Sequence, residues 1–373
     1  MREYYITWWN LENLFDIENS PDRPSELQEI LKKELVDWTE DVLTRKISQL
    51  VKIISLMNNG NGPDILGIGE IENGPVIEKL VAALNSNLHD HNYNHADVES
   101  DEKRGIEVAF IYDQNKFDID STDIISHSIL RTGATRNILQ VNFTTKIGTK
   151  LIGIGNHWPA RSLGVLETEP YRIAAGESIN YFHKEALKKF GGNTAILAMG
   201  DFNDEPFNRS LTDYALSTNN LSKLADGTPD KPYLFNLMWP FLERGMASYC
   251  YKNYDDVFKT NLPEYIVTNS PNECYYIPND PQDPSKRYHR RPPEITLNML
   301  DQFLVSKDMI FGSKINVRSD SVKILFEDMK EEICNHPQRY LSPRKFGRPS
   351  QKVSYDPNGF SDHFPISLVL EEK

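Results

Sequence analysis

The sequence predicts a layered α/β sandwich, two packed sheets covered by helices. Three observations carry that reading. Apolar strand-like runs alternate with two long helical patterns, a β-rich meander fills the stretch between those helices, and no G-x-G-x-x-G or Walker-type phosphate loop occurs.

The elements follow in order. A first strand covers residues 3 to 9, and a polar, Pro-punctuated loop runs from Ile17 to about Asp37. Residues 39 to 57 form an amphipathic helix, with Leu43, Ile47, Leu50, Ile54 and Met57 spaced 4, 3, 4 and 3. Thr39 is its N-cap and Asn58-Asn59-Gly60 its stop. The apolar run 63 to 68 is a buried strand that delivers Glu70, and a helix follows from about 75 to 88. Residues 108 to 112, 123 to 130, 138 to 144 and 151 to 155 are strands separated by turn residues. Thr168 caps a second long helix that runs to about Phe190, with Pro170 near its first turn. The run 194 to 199 delivers Asp201, and residues 207 to 217 look helical. From Leu224 to Glu294 the pattern dissolves into Pro, Asn, Asp and Tyr, and no apolar repeat provides a second core. The chain therefore reads as one domain, 1–373, with a loop-rich insertion at about 224–294. Strands return at 299 to 305, at 315 to 324 and at 364 to 370.

Composition bounds the function. The hydrophobic share of 39% and charged share of 25% are those of a globular protein, and the net charge of −13 opposes unaided binding to polyanions. Three scattered cysteines form neither a C-x-x-C pair nor a disulfide framework. No basic and apolar leader opens the chain and no 18-residue apolar run crosses a membrane, so the expected location is cytoplasmic.

Six polar motifs each end or follow an apolar run: Trp9-Asn10-Leu11-Glu12, Gly69-Glu70, Asn156-His157-Trp158-Pro159, Gly200-Asp201-Phe202-Asn203, Asp301-Gln302 and Ser361-Asp362-His363. Strand ends that meet at one edge of a β-core would gather these side chains. Glu70 is a carboxylate suited to a hard divalent cation, which takes one or two carboxylates and fills its shell with water and phosphate. Asn10 and Glu12, two residues apart, would point to the same side of a strand end. Asp201 can take or orient the attacking water while Asn203 donates to a phosphate oxygen, and His157 can donate as charge builds. Asp301 lies in an apolar run and needs a partner; His363 would supply one, in the orienting logic of hydrolytic triads. Asp362 remains as a further carboxylate on the metal side. Each motif alone has a bland reading as a turn or a solvated strand end, but the ordered series is the inventory of a metal-dependent phosphoester hydrolase.

The stretches 9–16, 64–73, 104–113, 155–161, 199–204, 300–306 and 361–366 resemble the endonuclease/exonuclease/phosphatase superfamily of deoxyribonuclease-like, apurinic-site endonuclease-like and inositol-phosphatase-like enzymes. The form Asn156-His157-Trp158-Pro159-Ala160-Arg161 is most similar to a bacterial subgroup. The resemblance implies a four-layered α/β sandwich, two central mainly antiparallel sheets flanked by helices, using Mg²⁺ or Mn²⁺. It implies Glu70 as principal metal ligand with Asn10, Glu12 and Asp362 beside it, Asp201 on the water, Asn203 and His157 on the phosphate, and Asp301 orienting His363. Two departures stand out: Gly69 replaces a glutamine of many relatives, and Glu72 could share or replace the part of Glu70.

Positive charge concentrates near these motifs. Arg287, Arg290 and Arg291 precede the Asp301 strand, a second basic run from Arg339 to Lys352 precedes Asp362, and Arg136 and Arg161 flank the middle motifs. With Asn156, these arginines are candidate phosphate contacts. The expected activity is hydrolysis of a nucleic-acid phosphodiester, with a small sugar, inositol or lipid phosphate as the alternative. A non-catalytic phosphate-binding module is disfavoured because every motif position keeps a reactive side chain.

Overall fold

The computed structural model describes residues 1–98, 107–129, 136–250, 277–278, 287–288, 297–312, 314–326, 333–336, 340–351 and 355–373. In chain order the strands are β1 (Arg2–Leu14), β2 (Ile65–Ile71), β3 (Tyr93–Ala96), β4 (Glu107–Asp113), β5 (Phe117–Asp118), β6 (Ile124–His127), β7 (Ile138–Thr145), β8 (Lys150–His157), β9 (Ala195–Asp201), β10 (Ser217–Thr218), β11 (Leu234–Asn236), β12 (Tyr249–Cys250), β13 (Ile277–Pro278), β14 (Arg287–Tyr288), β15 (Leu297–Asn298), β16 (Asp301–Ser306), β17 (Ile315–Val317), β18 (Lys323–Ile324), β19 (Cys334–His336), β20 (Tyr340–Pro343) and β21 (Ile366–Glu372). The helices that matter below are α1 (Ser25–Leu31), α2 (Glu40–Leu56), α3 (Gly74–Asn87) and α4 (Val165–Phe190).

Two sheets form the centre. The first has seven strands in the order β17-β21-β1-β2-β4-β3, with β18 on β21; the second has eight in the order β10-β11-β16-β9-β8-β7-β5, with β6 on β7. The pairs β1–β2, β8–β9 and β10–β11 are parallel and the rest of both sheets is antiparallel. Side chains alternate across each strand, and this sorts the core into layers. In β9, Leu197 and Met199 join the cluster between the sheets, whereas Ile196 and Ala198 join Ala175 and Ile179 of α4 on the outer face. Phe110 of β4 meets Phe143 of β7 edge-on across the sheets, with ring centroids 5.6 Å apart. Helices α2 and α3 bury Leu43, Leu50, Ile54, Val76, Leu80 and Leu84 over the first sheet. The order is helices, sheet, sheet, helix: the four-layered α/β sandwich.

Several elements differ from expectation. β1 runs five residues further than predicted, to Leu14, through an irregular register between Asn10 and Leu14. The predicted loop before α2 holds α1. α4 starts at Val165, so Thr168 sits inside the helix, where its hydroxyl donates 2.6 Å to the Gly164 carbonyl oxygen and accepts from Arg172. Residues 207 to 217 contain only a π-helical turn, Ser210–Tyr214, before β10. The stretch expected to be irregular from 224 supplies β11, buried because it pairs with β16. Within that stretch β12 pairs with β15 just beyond it, Tyr249 opposite Asn298 and Cys250 opposite Leu297.

Register places the polar strand ends. β16 sets Asp301 opposite Asp201, β8 sets His157 opposite Asp201 and Asn156 opposite Gly200, and β1 sets Asn10 opposite Gly69. The β8–β9 approach depends on Gly200: a β-carbon there would lie 2.2 Å from the Asn156 carbonyl oxygen. Gly200→Ala is therefore predicted to destabilise the protein by about 1–3 kcal/mol, read as a lowered denaturant midpoint. Gly192→Ala, where a β-carbon meets nothing within 4 Å, is the neutral control.

Candidate active site

The ends of β1, β2, β8, β9 and β16 and the segment before β21 bring Asn10, Glu70, His157, Asp201, Asp301 and His363 together. Asn10 Nδ2 donates to Glu70 Oε1 at 3.1 Å and to Asp201 Oδ2 at 3.2 Å. His157 Nε2 lies 3.6 Å from Glu70 Oε1 and 3.8 Å from Asp201 Oδ2. His363 Nε2 lies 3.9 Å from Asp201 Oδ2 and 3.8 Å from Asp362 Oδ1, while its Nδ1 bonds Asp301 Oδ2 at 2.7 Å.

Local backbone chemistry aims these groups. Glu12, Asn13, Glu70 and Asn203 have φ of 53°, 56°, 62° and 48°. Non-glycine residues rarely take this left-handed conformation, and it costs on the order of 1–3 kcal/mol at each position. At Glu70 the kink breaks the register of β2 with β1 and β4, which resumes at Ile71, and Glu70 Oε2 accepts from the Asn13 amide at 3.0 Å. At Asn203 it folds the chain back, so the Asn203 amide donates 2.9 Å to Asp201 Oδ1. Trp8 holds the other side, with Nε1 donating 2.8 Å to Asp301 Oδ1. The same indole explains Gly69: a β-carbon there would lie 3.1 Å from the Trp8 ring, so the space of the missing side chain is filled. Ser361 closes the corner, donating 2.6 Å to the Asn10 carbonyl oxygen and accepting from the His363 amide.

The electrostatics follow from burial. Desolvation, reinforced by the charges of Asp301 and Glu70, pushes Asp201 up to about 7 against the pull of His363. Burial alone would lower His363, but the charge and hydrogen bond of Asp301, with Asp201 and Asp362, lift it well above its ordinary value. The ring is thus held as an imidazolium facing a carboxylate.

Other predicted site residues lie differently. Glu12 does not share a side with Asn10. The left-handed turn sends its carboxylate to accept from the Phe346 amide at 2.8 Å and the Gly347 amide at 3.2 Å. Asn156 is wholly buried and engaged with the Ile154 and Met199 carbonyl oxygens and the Trp158 indole, so its amide braces β8 instead of facing a ligand. Arg161 bonds the Asn203 carbonyl oxygen, Asp204 and Asn208, which ties down the loop after β9. Asn203 Nδ2 is directed to the Trp158 carbonyl oxygen at 3.0 Å and Asp201 Oδ2 at 3.3 Å. Glu72 is paired with Arg23, both side chains fully buried, and stands apart as a structural bridge. Asp362 is at the edge, its side chain 31% exposed. Arg136 reaches the Trp158 carbonyl oxygen at 3.5 Å. Arg344 and Arg348 of the second basic run pair with Asp356 and Glu34. Arg287 belongs to β14, while Arg290 and Arg291 lie outside the described residues.

Three neighbours were not read from the sequence. Arg172 of α4 is buried and pairs with Asp204 at 2.8 Å, clamping the loop behind Asp201. Tyr249 packs against His363 with ring centroids 4.5 Å apart. Lys46 of α2 is wholly buried, although it stands three residues after Leu43 and four before Leu50, on the apolar face. That spacing was the available signal; a lysine is ordinarily read as solvated.

Two groups could concern a metal. Glu70 and the partly exposed Asp362 offer hard oxygen donors, Asn10 turns its Nδ2 to the site and its Oδ1 to the Glu12 amide at 3.0 Å, and the crowded anions around Asp201 suit a divalent cation. Glu12 spends its two oxygens on the Phe346 and Gly347 amides, at the wall of the mouth. At the opposite end of β2, Asp64, His91 and Asp113 also lie with ligand atoms within 4.8 Å of one another. There the bonds are already made: His91 Nδ1 meets Asp113 at 2.8 Å, Nε2 meets the Asn61 carbonyl oxygen, and Lys116 pairs with Asp64 at 2.6 Å.

A sequence profile described as the Endonuclease/Exonuclease/phosphatase family matches residues 5–282. No curated protein matches the chain. An endonuclease/exonuclease/phosphatase family protein from Bacteroides thetaiotaomicron has a similar structure, with a TM-score of 0.50 at 14% identity over 99% of this chain and 97% of that one. D. rerio TDP2 complexed with a single-strand DNA product gives 0.51 at 10% identity, with 100% of both chains covered. At these identities the likeness is one of fold.

The raised Asp201 and Glu12 set a pH dependence. Burial and the Asp362 charge push Glu12 up to about 7, against Lys46. A carboxyl whose folded value exceeds its unfolded value of about 4 contributes fully below pH 4, and that contribution is lost as pH rises through about 7. In chelator, stability is predicted to fall between about pH 4 and 7. Asp201→Asn should flatten that slope in a series of denaturant midpoints; an unchanged slope would contradict the assignment.

Proposed function

Because the chain belongs to the endonuclease/exonuclease/phosphatase family, we propose that this phosphoester hydrolase is a divalent-metal-dependent phosphodiesterase acting on DNA or RNA. The observation that carries the reading is the meeting of Glu70, Asp201, His157 and His363 within contacts of 3.6 to 3.9 Å. Carboxylate, imidazole and amide from five strand ends leave little room for a purely structural account of so many buried polar groups.

Each residue then has a part. Glu70, with Asn10 beside it and Asp362 at the rim, holds Mg²⁺ or Mn²⁺. The bound ion supplies positive charge that polarises the phosphoryl group. Asp201, tuned upward by burial, accepts a proton from the attacking water as the new P–O bond forms and the ester P–O bond breaks. Asn203 holds the Asp201 carboxylate in line. His363, kept protonated and oriented by Asp301, donates to a phosphoryl oxygen, and His157 does so from the other side. Arg136, Arg287, Arg290 and Arg291 are assigned to the nucleic-acid backbone, where they would offset the net charge of −13. Among the described residues no helix is long and apolar enough to cross a membrane. Three scattered cysteines whose spacing offers no disulfide framework fit a cytoplasmic setting.

Purified protein is predicted to cleave plasmid or single-stranded oligonucleotide with Mg²⁺ or Mn²⁺ and to lose that activity in chelator. Asp201→Ala and His363→Ala should each lower kcat/KM by about 10²–10⁴-fold with the fold intact by circular dichroism. Near-parental rates in either variant would overturn the role assignment. Turnover of inositol or sugar phosphates alone, with no nucleic acid cleaved, would move the substrate to the small-molecule class.

A further inference from the structure

Lys46 carries a charge that the proposed chemistry does not use. Its side chain is fully buried on the core face of α2. Lysine is almost never buried unless something compensates it. Its ammonium donates to the carbonyl oxygen of Phe360, a neutral partner, and sits 4.9 Å over the Phe346 ring. Both contacts fall on the segments that wall the acidic mouth: Phe346 donates its amide to Glu12, and Phe360 precedes Ser361, Asp362 and His363. The carboxylates that feel the charge are Glu12, held by the Phe346 and Gly347 amides, and Asp362 and Glu70, assigned above to the metal. Burial draws Lys46 down to about 8 and these three anions hold it up.

We propose that Lys46 is a positioning residue, a fixed internal cation that balances the acidic mouth when no metal is bound and sets how tightly the mouth holds its divalent ion. Two consequences follow from Coulomb's law in a medium of low dielectric. Without metal, the ammonium offsets repulsion among Glu12, Glu70 and Asp362. With metal, the same ammonium repels the incoming ion and weakens its binding, so that the ion exchanges with solvent. Lys46 also pins the Phe346 and Phe360 segments by its bond and ring contact, and this second part should survive replacement by a neutral donor.

The inference rests on the metal site proposed above, and one experiment separates the two. Mg²⁺ and Mn²⁺ affinity is measured by titration calorimetry for the parent, Lys46→Gln, Lys46→Met and Lys46→Arg, with Tm recorded at each metal concentration. Lys46→Gln, which keeps a donor for Phe360 and loses the charge, should bind Mg²⁺ at least about tenfold tighter than the parent. Its Tm in chelator should fall, and the deficit should close as Mg²⁺ is added. Lys46→Arg should keep parental affinity. Equal affinity in Lys46→Gln, with a Tm deficit that Mg²⁺ does not change, would reduce Lys46 to a packing role and overturn the proposal. Failure of Lys46→Gln and Lys46→Met to fold at any Mg²⁺ concentration would also overturn it, because an electrostatic role requires rescue by a bound cation. A parent that binds neither ion would instead remove the metal site itself.

Discussion

Asp201, Glu70 and Asp301 fold into one mouth poor in water, and the repulsion among these carboxylates is what the surrounding residues answer. Two like charges about 4 Å apart cost about 4 kcal/mol at an effective dielectric near 20. The chain meets this with donors from several directions. Asn10 bridges Glu70 and Asp201, the Asn13 amide reaches Glu70, the Asn203 amide reaches Asp201, and Trp8 and His363 share Asp301. Three of these donors lie on β1, one follows β9 and one precedes β21. The site therefore exists only when both sheets are in register, and fold and chemistry are one constraint.

The left-handed residues belong to the same account. A regular strand would turn Glu70 along the alternation of β2 and carry the Asn203 amide onward, off the Asp201 carboxylate. The kinks at Glu12, Asn13 and Glu70 interrupt the β1–β2 register, and the kink at Asn203 follows the end of β9; each re-aims a polar group. Strain of this kind persists because several buried hydrogen bonds over-determine it.

The layered fold and most of the site were legible because both leave periodic marks. Apolar runs ending in Glu70, His157, Asp201 and Asp301 read as strands that deliver a polar tip, and the register brings those tips together. What escaped was not periodic. Glu12 follows Asn10 at the spacing of one strand face, but a single left-handed residue redirects it to the Phe346 and Gly347 amides. Arg161 looks like a phosphate contact by charge, yet its guanidinium is engaged by Asn203, Asp204 and Asn208. Lys46 looks like a solvated helix residue, yet it occupies the buried face. β11 was hidden because three residues that pair with β16 make no pattern of their own. Motif spacing tells which residues arrive at the mouth; hydrogen-bond partners decide which of them face a ligand.

The proposed cation belongs at the end of β2 that carries Glu70, not at the far end where Asp64, His91 and Asp113 also cluster. Anomalous diffraction from crystals soaked in Mn²⁺ tests this most directly. A manganese peak bounded by Glu70 and Asn10, facing Asp201 and His363, is the predicted result. A peak only between Asp64, His91 and Asp113, with Lys116 displaced and nothing at Glu70, would contradict it.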